Sequence, residues 1–181
     1  MEFTTDAVYH FSEDPTITRF VPHVARTAQV GEAYVWAVTA ERANNYWFPR
    51  QCPRAMAWVR PDSDPDDVAR IIGPGGGTRV HAVEYAWLER LRTVELYVYR
   101  FDPAGFRPID DSDEPPAVVT ESEVAPLGPA EPVGDLLALH ERAGIQLRLL
   151  ARLHDFWSVV ITSTLGFSGI RLRNAQPAPA G

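Results

Sequence analysis

The sequence predicts an α+β fold: a bent or split, mostly antiparallel sheet flanked by short helices. Three observations predict it. Runs of β-branched and aromatic residues recur in strand-sized lengths, as in YVWAV, RAMAWV and VELYVYRF. The helix-like stretches between them are short and irregularly placed, which favours α+β over a doubly wound sheet. No internal repeat or long linker interrupts the 181 residues, so residues 1–175 are expected to form one globular domain.

Ala7–Ser12 (AVYHFS) reads as the first strand. The polar stretch from Glu13 to Val24 reads as a turn and loop, with Ile17 and Phe20 anchoring a short helical turn. Tyr34–Val38 is a buried strand, and Thr39 caps a helix from Ala40 to Trp47 that Pro49 ends. Arg54–Val59 is the next strand. The acidic turn Pro61–Asp67 caps a short helix reaching Ile72, and Gly73–Gly77 (GPGGG) is a flexible loop or ligand-closing lid. Arg79–Tyr85 is a strand, Ala86–Leu91 a helical turn, and Val94–Phe101 the clearest alternating strand. After the charged loop Asp110–Pro116, Val118–Ala125 is expected as a strand with one polar face. Pro132–Ala143 is a helix with Gly144 at its C-cap. Ile145–Leu150, His154–Leu165 and Gly169–Leu172 follow as strand, helix and closing strand, and 176–181 as a disordered tail.

Composition narrows the function classes. Hydrophobic residues make up 45% and charged residues 23% of the chain, ordinary values for a globular protein. No apolar run is long enough to span a bilayer, and the acidic N-terminus lacks the pattern of a signal peptide. Cys52 is the single cysteine. No internal disulfide can form, which fits a cytoplasmic location, and a buried structural role is expected for this thiol. The net charge of -7 disfavours general attraction to nucleic acid. All 17 basic residues are arginine, as codon bias in a GC-rich bacterial genome would produce. No lysine can therefore act as a Schiff-base nucleophile or phosphate-loop cation.

Common catalytic signatures are missing. GPGGG matches neither the phosphate-loop nor the dinucleotide-binding glycine pattern. His81 and Glu84 fall on opposite faces of a strand, His140 reads as a solvated helix residue, and His154-Asp155 opens a helix, so no metal is expected. Ser163 and Ser168 lack a nucleophile elbow. In the C-terminal strand Arg171 and Arg173 share one face, either as an anion clamp or as edge-strand charges that discourage aggregation.

Tyr9-His10-Phe11-Ser12 is the most suggestive segment. On a strand, Tyr9 and Phe11 can enter the core, leaving His10 and Ser12 as a hydrogen-bonding patch on the other face. Alternatively, His10 is a strand-end residue bonded to a neighbouring loop. An opening strand with His-x-Ser, then an aromatic in a strand (Trp36), then an aromatic about eleven residues on in a helix, resembles the ADP-ribosyltransferase-like superfamily. The resemblance implies that His10 and Ser12 hold the adenosine-side ribose of NAD, the substrate. It implies that Trp36 and Tyr46, or Trp47, sandwich the nicotinamide ring, a flat cation that gains from aromatic faces. It also implies a late strand with a catalytic carboxylate, for which Glu121 and Glu123 compete. The pattern departs from the superfamily in having Trp at position 36, where Tyr is usual, and no Gly-Thr after the His. The whole chain, including FSGIRLRNA, also resembles an uncharacterised family of small bacterial proteins.

The function expected is NAD-dependent ADP-ribose transfer to an unspecified acceptor, or NAD cleavage. Removal of a 2′-phosphate from RNA is a related outcome that the negative charge disfavours. The alternative is a non-catalytic ligand-binding or regulatory module with an aromatic-lined pocket. A toxin is a third option, without a target visible in the sequence.

Overall fold

The computed structural model describes residues 2–24, 31–112 and 115–177. It is a mixed α+β structure with several antiparallel sheets and short helices. The chain divides into two compact units. One comprises Met1–Trp47 with Glu95–Gly134, the other Phe48–Val94 with Asp135–Gly181.

In the first unit, β1 (Val8–Ser12) pairs antiparallel with β6 (Tyr97–Phe101), which pairs with β9 (Glu131–Pro132). A second sheet has the order β2 (His23–Val24), β3 (Ala33–Ala37), β8 (Val118–Thr120), β7 (Arg107–Pro108). The core lies on Val8, Phe20, Val35, Ala37, Tyr99, Phe101 and Val118. Phe20 packs edge-on against Tyr99 at 5.0 Å and Phe101 at 4.9 Å. Burying such a ring contributes about 1.5–3 kcal/mol.

Phe20 does not sit on a helical turn, as the sequence suggests. It forms a β-bridge with Val124, because its extended backbone turns the ring into the core. The expected strand Val118–Ala125 is correspondingly shorter and ends at Thr120. The predicted helix after Thr39 is a 3-10 helix over Ala40–Tyr46, and the Thr39 side chain makes no capping bond.

The second unit has the sheet order β10 (Ile145–Leu150), β5 (Arg79–Glu84), β4 (Arg54–Trp58), β11 (Gly166–Ile170). β10 and β5 are parallel; the other pairs are antiparallel. One face carries Ala55, Ala57, Val80 and Ala82 and packs on α4 (Leu153–Val160). α1 (Pro65–Asp67) is capped by Asp64, which accepts from the Asp66 N–H, and continues as a π turn over Val68–Ile72. α2 (Leu88–Thr93) follows β5. α3 (Leu136–Arg142) starts four residues later than the sequence predicts. Asp135 accepts from the N–H groups of Leu137 and Ala138, whereas Pro132 belongs to β9. Gly144, at φ 64°, ends it as expected.

The Gly73–Gly77 loop is exposed from Pro74 to Gly77, as a surface loop should be, and is anchored from β10. Gln146 donates to Gly76 O at 2.8 Å and Ile72 O at 3.2 Å, and Arg148 donates to Ile71 O at 2.6 Å. Arg171 and Arg173 do not alternate on a strand: β11 ends at Ile170, Arg171 is left-handed at φ 57°, and Arg173 lies in a 3-10 turn. The expected tail is tied down at its start, where the Gln176 N–H donates to Glu84 at 3.1 Å; residues 178–181 lie outside the described residues.

Candidate functional site

The residues singled out by the resemblance all lie in the first unit. β1 and β3 meet at a single bridge, with Tyr9 N–H to Val38 O at 2.8 Å and Val38 N–H to Tyr9 O at 2.9 Å. The next rung of an antiparallel ladder would use Trp36 O. The His10 imidazole takes that carbonyl instead, through Nδ1 at 2.9 Å. A carbonyl only accepts, so Nδ1 carries the proton. His10 thus sits in the split between the sheets, half-buried, with its ring edge-on to Phe20 at 4.9 Å.

Register decides which side chains share a face, because directly opposed residues project the same way. Trp36 opposes Val119, and Val119 opposes Arg107. These three therefore form one row across the sheet. Val35, Ala37 and Val118 project to the other side, into the core. Tyr34 lies on Trp36's face, edge-on to it at 6.1 Å. The Arg107 guanidinium stands over the Tyr34 ring at 5.4 Å and donates to its hydroxyl at 3.1 Å and to Glu121 at 3.4 Å. The result is an aromatic, arginine and carboxylate face: Trp36, Tyr34, Arg107, Glu121. The Tyr34 hydroxyl donates to Glu32 at 2.6 Å. That bond holds the phenol above its ordinary value, and the bonds to Tyr34 and Glu121 raise Arg107 further. Glu32 on the Tyr34 hydroxyl and Glu121 on the guanidinium give this cluster one more carboxylate than it has arginines.

Continuing the Tyr9–Val38 register puts Tyr9 and Phe11 on the Trp36 side of the sheet. Tyr46 stacks on Phe11, with centroids 6.2 Å apart and planes at 14°. Trp47 packs with Phe3 at 5.9 Å, and Phe3 with Tyr9 at 5.0 Å. So Tyr46 and Trp36 flank the same side of the split sheet, Tyr46 through its stack on Phe11.

Other expectations are corrected. Ser12 is not on an open patch: it is 1% exposed, and its hydroxyl accepts the Asp14 N–H at 3.1 Å. His10 faces the core side through Phe20 rather than open surface. Glu121 and Glu123 do not share a strand face, because β8 ends before both. Glu123 pairs with Arg19 instead. Arg107 and Tyr34 were not singled out from the sequence. The signal that exposes them is cross-strand register, which one sequence does not carry.

Outside this face, a shallow open hollow of about 380 Å³ lies between Pro15–Thr18 and the Pro126–Ala130 segment. It is lined by none of the residues above. Among the described residues no group of three or more His, Cys, Asp or Glu is arranged to hold a metal ion, and no helix is long and apolar enough to cross a membrane.

Fold and face together define an α+β protein with an aromatic–carboxylate surface on a split antiparallel sheet. The chain belongs to the family of unknown function DUF6886, whose model matches residues 9–175. No curated protein and no solved structure matched it.

Proposed function

We propose that the chain binds NAD on the Trp36 face of its first unit and transfers or cleaves the ADP-ribose. The observation that carries this reading is a chain of contacts: Trp36 lies edge-on to Tyr34, Arg107 stands over the Tyr34 ring and bonds its hydroxyl, and Arg107 donates to Glu121 just past the end of β8. The nicotinamide ring of NAD is a flat cation, and aromatic faces beside an excess of carboxylate suit it. Trp36 and Tyr46 frame the ring. His10 acts on Trp36 by fixing its main chain, which makes it a positioning residue.

In the reaction, the C1′–N bond breaks and its electron pair leaves with the nicotinamide nitrogen, neutralising the pyridinium. The ribose carbon becomes oxocarbenium-like and is attacked by water or an acceptor, which releases a proton. Glu121 stabilises the developing positive charge at the ribose; such fixed charge acts more strongly in the transition state than in the ground state.

A second reading is favoured by one observation. Glu121 and Glu123 each carry an arginine of the same chain, which suits a binding module that performs no chemistry. One experiment separates the two. The purified protein is incubated with NAD, free nicotinamide is followed by chromatography, and NAD binding is measured by calorimetry. Nicotinamide release that is lost in Trp36→Ala supports the enzyme. Binding without release supports the module. Neither binding nor release overturns both assignments of NAD to this face.

A further inference from the structure

The second unit holds a buried polar chain that the proposed reaction does not use. His140, on α3, is bonded through Nδ1 to Leu136 O at 2.7 Å, and its Nε2 faces Nδ1 of His81, on β5, at 3.0 Å. The two residues are 1% and 0% exposed. The carbonyl fixes the tautomers. His140 Nδ1 donates to Leu136 O, so its neutral Nε2 accepts. His81 Nδ1 must then donate, which leaves a lone pair on His81 Nε2, a buried atom without a hydrogen-bond partner. Phe48 closes over both rings, at 5.6 Å from His81 and 5.1 Å from His140.

Two arginines, Arg79 and Arg54, act on His81. On β5, Arg79 is two residues away on the same face. On β4, Arg54 is 3% exposed, donates to Cys52 O at 3.0 Å and lies over Phe48 at 5.1 Å. The Cys52 thiol, pushed up to about 12 by burial, adds no anion. Glu84 projects from the opposite face of β5 and is engaged by the N–H groups of Leu153 and Gln176. β10 presents Leu147 opposite His81, while Arg148 turns away to Ile71 O. Glu141 and Arg142 of α3 and Glu89, Arg90 and Arg92 of α2 are exposed.

We propose that the His81–His140 pair, bordered by Arg54 and Arg79, is an acid-sensitive fastening of α3 to β5 that holds at neutral pH and lets α3 open on acidification. The first proton can go only to the lone pair on His81 Nε2. It adds a third positive charge to Arg54 and Arg79 and creates a buried N–H without an acceptor. A second proton needs His140 Nε2 and therefore breaks the ring–ring bond. Burial, and for His81 also the neighbouring charges of His140, Arg79 and Arg54, depresses both imidazoles below their ordinary value of 6.5. Depressed histidines are neutral in the fold and charge on opening. The fastening is therefore complete above that value and is lost as pH falls below it.

The test is hydrogen exchange of the full chain, corrected for intrinsic rates, between pH 7.5 and 5.5. The expected result is that the opening equilibrium of Leu136–Arg142 rises by up to about tenfold per pH unit for each proton taken up. In the variant His81→Leu/His140→Leu, with the pair replaced by apolar side chains, the pH dependence of this segment is lost. A wild-type α3 whose opening is flat over this range overturns the proposal, as does a double variant with the wild-type slope. If the double variant does not fold, the imidazole resonances of the wild type decide. Neutral rings that charge only as α3 opens support the device; rings that titrate near 6.5 in a closed α3 overturn it.

Discussion

The His10 imidazole bonds the main-chain oxygen of Trp36 at 2.9 Å, at the point where the ladder between β1 and β3 stops. A side chain thus replaces a rung of backbone pairing. His10→Ala removes that bond and the edge contact with Phe20. A loss of about 1–3 kcal/mol is expected, from the hydrogen bond, the unpaired carbonyl and lost packing. Thermal unfolding, with exchange of the Trp36 strand, measures it. No change in stability would mean that water replaces the ring at no cost.

Glu121 and Glu123 differ in setting, so their variants should differ in effect. Glu121→Gln is expected to lower nicotinamide release by at least tenfold, in the range lost with one transition-state charge contact. Glu123→Gln, which loses only its exposed pair with Arg19, should leave release and stability within about 0.5 kcal/mol of wild type. Steady-state kinetics of the two variants side by side gives the answer. Equal losses would contradict the assignment of Glu121.

Gly77 cannot be replaced cheaply. Its φ is 77°, and a Cβ there would lie 2.1 Å from Gly144 O. Backbone, not a yielding side chain, is the obstacle. Gly77→Ala should cost about 1–3 kcal/mol, read as a shifted denaturation midpoint. Gly76→Ala has the same left-handed strain, at φ 83°, but open space around the added carbon, so it should cost less.

Asp67 gives an acid-side prediction. Its carboxylate accepts the Thr164 N–H at 2.8 Å and hydroxyl at 2.9 Å and pairs with Arg70 at 2.5 Å. These bonds, the Thr164 N–H first, hold its pKa below the ordinary 3.8. A depressed carboxylate stabilises the fold above its unfolded value, and that contribution fades as pH falls through the folded one. Asp67→Asn should therefore destabilise more at pH 7 than at pH 2. Urea midpoints at the two pH values test the sign.

Cys52 should resist thiol reagents in the native protein. It is fully buried, and its thiol is pushed up to about 12. Thiolate is the reactive form. Labelling by a disulfide reagent at pH 8 should track unfolding and speed up on adding denaturant. Fast native labelling would mean that the Phe48–Arg54 segment opens locally.

Much of the local structure is legible in the sequence, and register is not. β1, β3, β4, β5 and β10 fall within a residue of where composition and alternation put them, since burial selects β-branched and aromatic residues there. The errors have common causes. The Val118–Ala125 stretch reads as a strand with one polar face, yet β8 ends at Thr120, and Val124 bridges to Phe20. Pro132 is a good helix opener, but it pairs with Tyr97 and the helix waits for Asp135. His140 looks solvated beside Glu141 and Arg142, but the helix turns it inward onto His81. Trp36 and Tyr46 were legible as aromatic positions. Their relation to Arg107 and Tyr34 required knowing which strands are neighbours.

Each compact unit is assembled from two stretches of sequence, and the chain passes from one unit to the other near residues 47, 94 and 134. Neither unit exists as a contiguous gene fragment. Expressing residues 1–47 or 48–94 alone would yield half a sheet with its partner strands missing. To isolate the first unit, an engineer would have to excise 48–94, join Trp47 to Glu95 through a linker and end the chain at Gly134. The nascent chain meets the same restriction. β1 emerges from the ribosome long before β6, so its sheet must wait while the whole intervening segment is synthesised.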